Sequence, residues 1–144
     1  RPRLIEAETA DEIHGPQVLG SGAAGGGKFI GAINHGHYLR INGISFDKVK
    51  RLVLKVASAG AGGSIEIRLD KPNGDLVANV PVEVNGQWEK FYEKMVDLNP
   101  TAKPGETPMA DFVIPTGRHD VFFVFTHPGK GGGLMNLDSV NFLP

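Results

Sequence analysis

From Ser64 to Asp70 the chain reads Ser-Ile-Glu-Ile-Arg-Leu-Asp, with an apolar residue at every second place. A period of two is the period of a strand with one buried face, and a helix cannot bury it. Leu52, Leu54 and Val56 repeat it, with Arg51, Val53 and Lys55 on the other side. Val121 to Phe125 (Val-Phe-Phe-Val-Phe) is apolar on both sides, which predicts a central strand. Residues 76–84, 87–96 and 134–143 read the same way, and 4–9, 28–33 and 38–42 add shorter strands. Turn signals separate them: Gly60 to Gly63, Asn73-Gly74, Asn85-Gly86 and Gly129 to Gly133. With 20 Gly and 10 Pro in 144 residues, the punctuation is denser than in an ordinary domain. Only Glu6 to Ile13 holds good helix formers; its apolar stripe lasts one turn, and Gly15-Pro16 stops it. The expectation is an all-β single domain over 1–144, with about nine strands closed as a two-sheet antiparallel β-sandwich of jelly-roll type.

Fifteen Lys and Arg against sixteen Asp and Glu leave a net charge of -1. Such a chain has no global basic field to hold nucleic acid or an anionic membrane. No stretch of 18 apolar residues is present to span a bilayer as a helix. The absence of Cys excludes a disulfide scaffold, a thiolate zinc site and a Cys nucleophile, and leaves the compartment open. Arg1-Pro2-Arg3 reads as the start of a piece processed or excised from a longer protein. Residues 99–117, with four prolines, read as a long loop between strands.

Several motifs are present in the wrong context. Gly20 to Gly25 matches G-x-G-x-x-G, and Gly22 to Lys28 matches the opening of a P-loop. Phe29 stands where magnesium needs a hydroxyl, and the residues that follow are β-branched and Gly-interrupted rather than helical, so a flexible loop is expected. His35-Gly36-His37 puts two imidazoles on one face of a strand, but Ile41 occupies the place where a jelly-roll metal oxidase needs a carboxylate. Glu66 and Asp70 are the best strand-borne acid pair for glycoside hydrolysis, and outward strand charges are usually a solvated face. No Ser nucleophile elbow occurs.

Three features remain. Ile5-Glu6-Ala7-Glu8 places two carboxylates at i and i+2, on one face if the segment is a strand. Asn136-Leu137-Asp138 does the same with an amide and a carboxylate. Trp88, the only Trp, follows Asn85-Gly86-Gln87, and an indole next to a turn is expected to be partly exposed.

The order Ile5-Glu-Ala-Glu8, Gly26-Gly-Lys-Phe-Ile-Gly-Ala-Ile-Asn-His-Gly-His-Tyr-Leu39, Val56 to Asp70, Asn85-Gly-Gln-Trp-Glu-Lys-Phe91 and Asn136-Leu-Asp-Ser-Val-Asn-Phe142 resembles a family 6 carbohydrate-binding module over nearly the whole chain. The resemblance implies a β-sandwich jelly roll and a structural calcium held by Glu6, Glu8 and Asp138, joined by a backbone carbonyl near Lys28. A hard cation takes several oxygens, and such a site would tie the two ends of the chain together. Without an ion, the same acids would be edge-strand charges that discourage sheet-to-sheet pairing.

The resemblance also implies a loop-lined cleft where two aromatic rings clasp a sugar and an Asn bonds its hydroxyls. Trp88 matches one ring and Asn136 the amide. The second ring is missing, because Gly31-Ala32-Ile33 stands where the family usually has Gly-Tyr-Ile. Tyr92, His35 or the 99–117 loop are the replacements to consider. Tyr38 sits where the family often has another aromatic, which some members use in a second cleft on a sheet face; a core role with a satisfied hydroxyl is the alternative.

The implied function is non-catalytic. The module would anchor a catalytic domain of the same parent chain, a secreted bacterial enzyme, on an extracellular polysaccharide such as xylan or β-glucan. The alternatives are a sugar-site-impaired spacer or protein-interaction domain, favoured by Ala32, and a metal enzyme built on His35 and His37.

Overall fold

A computed structural model describes residues 3–98 and 112–144. Most of the 99–117 loop therefore lies outside the described residues. The strands are β1 (Arg3–Glu6), β2 (Glu12–His14), β3 (Gln17–Gly20), β4 (Lys28–Gly31), β5 (Tyr38–Ser45), β6 (Arg51–Ser58), β7 (Gly63–Leu69), β8 (Leu76–Val82), β9 (Gln87–Asp97), β10 (Arg118–Thr126) and β11 (Asn136–Leu143). One antiparallel sheet runs β3-β4-β11-β6-β9, with β1 also on β11; the other runs β2-β5-β10-β7-β8. The two pack face to face as a sandwich.

The period-two reading describes what fills the space between the sheets. Leu52, Leu54 and Val56 meet Ile65, Ile67, Phe123, Phe125 and Phe142, all 0–1 % exposed. Strand β10 is flanked by β5 and β7, and Val121 to Phe125 are buried on both sides. Phe122 on its outer side is covered by Tyr38, with ring centroids 5.5 Å apart. Pro81 falls in β8, an edge strand, where a missing N–H costs no ladder bond.

Eleven strands among the described residues exceed the nine expected. The extra two, β2 and β3, are three and four residues long, too short to show a period. A second difference concerns the first acidic pair. The strand expected over 4–9 ends at Glu6, and Ala7–Thr9 turn as a 3-10 helix. Glu8 therefore does not follow Glu6 along a strand face.

The third difference is a bulge in β11. Leu137 pairs with Val56 and Ser139 with Lys55, so Asp138 is the residue in excess. The bulge has a packing reason. Leu137 and Val140 are both 0–1 % exposed in the core, yet they are three apart, and regular alternation would put them on opposite faces. One inserted residue resets the parity, and Asp138 is that residue.

Candidate functional site

Two sites draw on β11, one through Asp138 and the other through Asn136. The first is a cluster of acids. β1 and β4 share one edge of β11: β1 pairs with Ser139 to Phe142, and β4 with Leu137. Asp138 sits where one partner gives way to the other. Its Oδ2 accepts the Gly25 N–H at 3.0 Å. The 3-10 turns at Ala7–Thr9 and Gly25–Gly27 close over it, and Glu6, Glu8 and Asp138 bring one carboxylate oxygen each within 4.8 Å of one another. A Cβ on Gly25 would stand 3.0 Å from the Glu6 carboxylate, and one on Gly26 3.3 Å from that of Glu8. Gly26 also has φ +70°, a conformation that strains any residue with a Cβ, so the stretch expected to be a flexible loop is a fitted lid over the acids.

Glu6 Oε2, Glu8 Oε1 and Asp138 Oδ1 are buried without a hydrogen-bond partner. Buried carboxylate oxygens that lack partners are costly, and three of one sign converging is costlier. The Glu6 carboxyl is pushed above its ordinary range, first by burial, then by the Asp138 and Glu8 charges, with Lys55 pulling the other way. An oxygen-only donor set of this kind fits a hard divalent cation. Lys28, expected to add a backbone carbonyl, opens β4 directly after the glycine turn and is exposed. Among the described residues this is the only group of three or more acid or imidazole ligands. His35 and His37 do not form one: His35 Nδ1 accepts the His127 N–H, and His37 Nδ1 accepts the Asn34 N–H, both at 3.0 Å.

The second site is a cleft of about 380 Å³ lined by Leu19, Phe29, Ala32, Ile33, Trp88 and Asn136, with Glu89 and Gly133 to Met135 at its sides. The local sequence explains how Trp88 reaches it. Asn85 accepts the Ser58 N–H through Oδ1 (3.0 Å) and donates Nδ2 to the Lys90 carbonyl (2.7 Å). Asn85-Gly86 thus bolts the β8–β9 turn to β6 and brackets the indole between its contacts. Buried Ser58 donates to the Leu134 carbonyl at 2.6 Å and accepts from Gly60 and Gly62 at 3.2 Å, fixing the facing loop. Gly60 leaves just enough room, since a Cβ there would lie 2.7 Å from the indole and 1.9 Å from the Gly133 carbonyl oxygen. Trp88 is held at its edge and remains 41% exposed.

Asn136 is 5% exposed and donates Nδ2 to the Trp88 carbonyl at 2.6 Å. That bond fixes which end of the amide is which and leaves Oδ1 as an acceptor beside Gly31, where a Cβ would come within 2.8 Å of it. Phe29, 4% exposed and edge-on to Phe91 at 5.6 Å, contributes an apolar lining. Leu19, 37% exposed, adds to it. Ala32 adopts φ +53°, a left-handed conformation unusual for a residue other than Gly, and presents only a methyl to the cleft.

None of the three side chains named as replacements or as a second platform lines this cleft. Tyr92 packs on the core and donates its hydroxyl to the Glu83 carbonyl at 2.6 Å. Burial, then the Glu83 charge, raises its phenol pKa. Tyr38 lies in the other sheet with His14 stacked on it (4.5 Å, 11°). His35 lines a separate hollow. Leu19, Phe29 and Glu89 belong to the cleft and escaped the sequence reading. Leu19 stands in the unrecognised β3, and only the tertiary fold brings it to Phe29.

Glu66 and Asp70, the strand-borne acids, are engaged elsewhere: Glu66 with Arg68 at 3.2 Å, and Asp70 with His119 at 2.9 Å.

Known proteins are similar to this chain in sequence and fold. The profile of the carbohydrate binding module (family 6) matches residues 6–144. The arabinoxylan arabinofuranohydrolase of Paenibacillus polymyxa is 28% identical over 144 residues, which is 97% of this chain and 20% of that protein. The chain therefore spans about a fifth of the length of this curated relative. A family 6 module from Clostridium cellulolyticum, solved in complex with xylose, is 31% identical with a TM-score of 0.81, over 99% of this chain and 97% of that one. A β-1,3-glucan-binding family 6 module from Bacillus halodurans is 29% identical with a TM-score of 0.80, over 99% and 96% of the two chains. The chain belongs to the family 6 carbohydrate-binding modules.

Proposed function

We propose that this domain binds a neutral β-glycan in the Trp88–Asn136 cleft, stabilised by a calcium ion held by Glu6, Glu8 and Asp138. The carrying observation is an indole left 41% exposed at the rim of an apolar cleft, with an oriented carboxamide beside it. An indole face matches the C–H face of a pyranose, and the amide oxygen accepts from a hydroxyl at the ring edge. Covering one ring face removes on the order of 50–80 Å² from water, or roughly 1–2 kcal/mol. Leu19 and Phe29 supply apolar contact in place of a second clasping ring. That substitution favours a single-faced, modest-affinity site. The similar modules bind xylose and β-1,3-glucan respectively, so xylan and β-glucan are the glycans to try first.

The role that follows is anchoring. The domain would hold a catalytic domain of the same parent chain on an extracellular polysaccharide by raising its local concentration, and would itself do no chemistry. The test is migration through gels containing xylan or β-glucan. The wild-type domain is expected to be retarded and Trp88→Ala to run free. Equal migration of both, with and without polysaccharide, refutes the proposal and favours the alternative, a spacer whose cleft lost its use with the second ring.

A further inference from the structure

Beside the cleft lies a second hollow of about 340 Å³, lined by His35, His127, Pro128, Gly129, Lys130 and Gly131. It shares a wall with the cleft. The loops at 32–37 and 127–134 are zipped by Leu134 N–H to Ile33 O (3.0 Å) and His35 N–H to Gly131 O (2.9 Å). Ile33 and Gly133 face the cleft, while His35 and Gly131 face the hollow. From Ile33 to His35 the extended chain reaches at most about 7 Å.

The hydrogen bonds decide what the hollow offers. His35 Nδ1 accepts the His127 N–H at 3.0 Å. His127 Nδ1 accepts two N–H groups, from Gly129 at 2.9 Å and Lys130 at 2.8 Å. An imidazole nitrogen that accepts carries no proton, so in each neutral ring the proton is on Nε2, a donor on a side chain that lines the hollow. The Lys130 ammonium is a third donor. No Asp or Glu lines the hollow. The main cleft has the opposite bias, with Glu89 in its lining.

We propose that this hollow is a subsite for the carboxylate of an acidic sugar, a uronate substituent carried by the glycan whose backbone lies in the Trp88 cleft. The inference rests on the cleft reading for the backbone, and on the donor set alone for the carboxylate. Donors fixed in tautomer, with one full positive charge and no competing acid, favour anionic oxygen over a hydroxyl. Glu89 repels a carboxylate on its own side, so the substituent would point toward Lys130.

Calorimetric titration with two xylo-oligosaccharides of equal length, one neutral and one bearing a glucuronic acid, tests this. The acidic one should bind about five- to tenfold tighter at low salt, and the gain should shrink as salt is added. Lys130→Gln, an exposed position, should erase that gain and leave the neutral ligand's affinity unchanged. Equal affinities, or a preference that survives Lys130→Gln, overturn the subsite. If neither oligosaccharide binds, the cleft reading fails and the subsite is judged separately by NMR with free glucuronate. Saturable shifts of the His35 and His127 ring signals, lost in Lys130→Gln, uphold it; unmoved signals overturn it.

Discussion

Adding calcium to metal-stripped protein is expected to raise its melting temperature, and the structure sets the scale. Three carboxylate oxygens converge within 4.8 Å. At that spacing, with an effective dielectric of about 20, each pair of charges repels by about 3 kcal/mol. Protonation relieves part of this, and the Glu6 carboxyl is raised above its ordinary value, first by burial and then by the Asp138 and Glu8 charges. A divalent cation relieves more. If its Kd is about 10 μM, 1 mM calcium stabilises the fold by roughly 2.7 kcal/mol. Unfolding entropy for a chain of this size is roughly 0.3 kcal/mol/K, which converts to a shift of about 9 °C. Melts followed by circular dichroism, in chelator and in 1 mM calcium, measure it directly. The pH dependence carries a sign. A carboxyl whose folded pKa is raised binds its proton more tightly in the fold, so the metal-free protein loses stability as pH rises from 4.5 through that raised value. The calcium-induced shift should therefore grow from pH 5 to pH 7. Glu8→Gln removes one of the three charges, so it should melt no lower than wild type in chelator and respond little to calcium. Superimposed curves with and without calcium at pH 7 would show that Glu6, Glu8 and Asp138 hold no calcium.

Other perturbations have equally definite outcomes. Gly60→Ala drives a methyl to 1.9 Å from the Gly133 carbonyl oxygen and 2.7 Å from the Trp88 ring; it should cost about 2–4 kcal/mol in urea unfolding and red-shift Trp88 emission as the indole is displaced. His119 is held above its ordinary 6.5 first by its hydrogen bond to Asp70. This pair stabilises the fold fully below pH 6.5, and the benefit fades as pH rises through the raised value. In Asp70→Asn the NMR titration midpoint of His119 should fall toward 6.5, and an unchanged midpoint contradicts the assignment. Phe123→Ala, at 0% exposure between the sheets, should cost about 3–5 kcal/mol.

The sandwich was legible because burial writes itself into a strand at every second residue, as in Ile65, Ile67 and Leu69. The same rule failed where elements were too short or parity was broken. Strands β2 and β3 hold too few residues to show a period, and Leu19 went unnoticed with them. Glu6 and Glu8 were expected to share a strand face. They converge instead through a 3-10 turn, and Asp138 joins them through a bulge that only the core demand of Leu137 and Val140 explains. Gly25 and Gly26 looked like flexible filler because the carboxylates they cover are distant in sequence. Asn85-Gly86 before Trp88 was readable as a turn, but its anchoring to Ser58 and Lys90 depends on β6 lying alongside.

Trp88 is the chain's only Trp, so its fluorescence reports on the cleft alone. Titrating metal-loaded protein with neutral xylo- and β-gluco-oligosaccharides while following that emission is the most direct test of the sugar site. A saturable change is expected for at least one of them, with affinity reduced about 5- to 30-fold in Asn136→Ala or on shortening the ligand to a single sugar. Emission that stays constant across every glycan, in a protein whose melting shows it to be folded, would contradict sugar binding in this cleft.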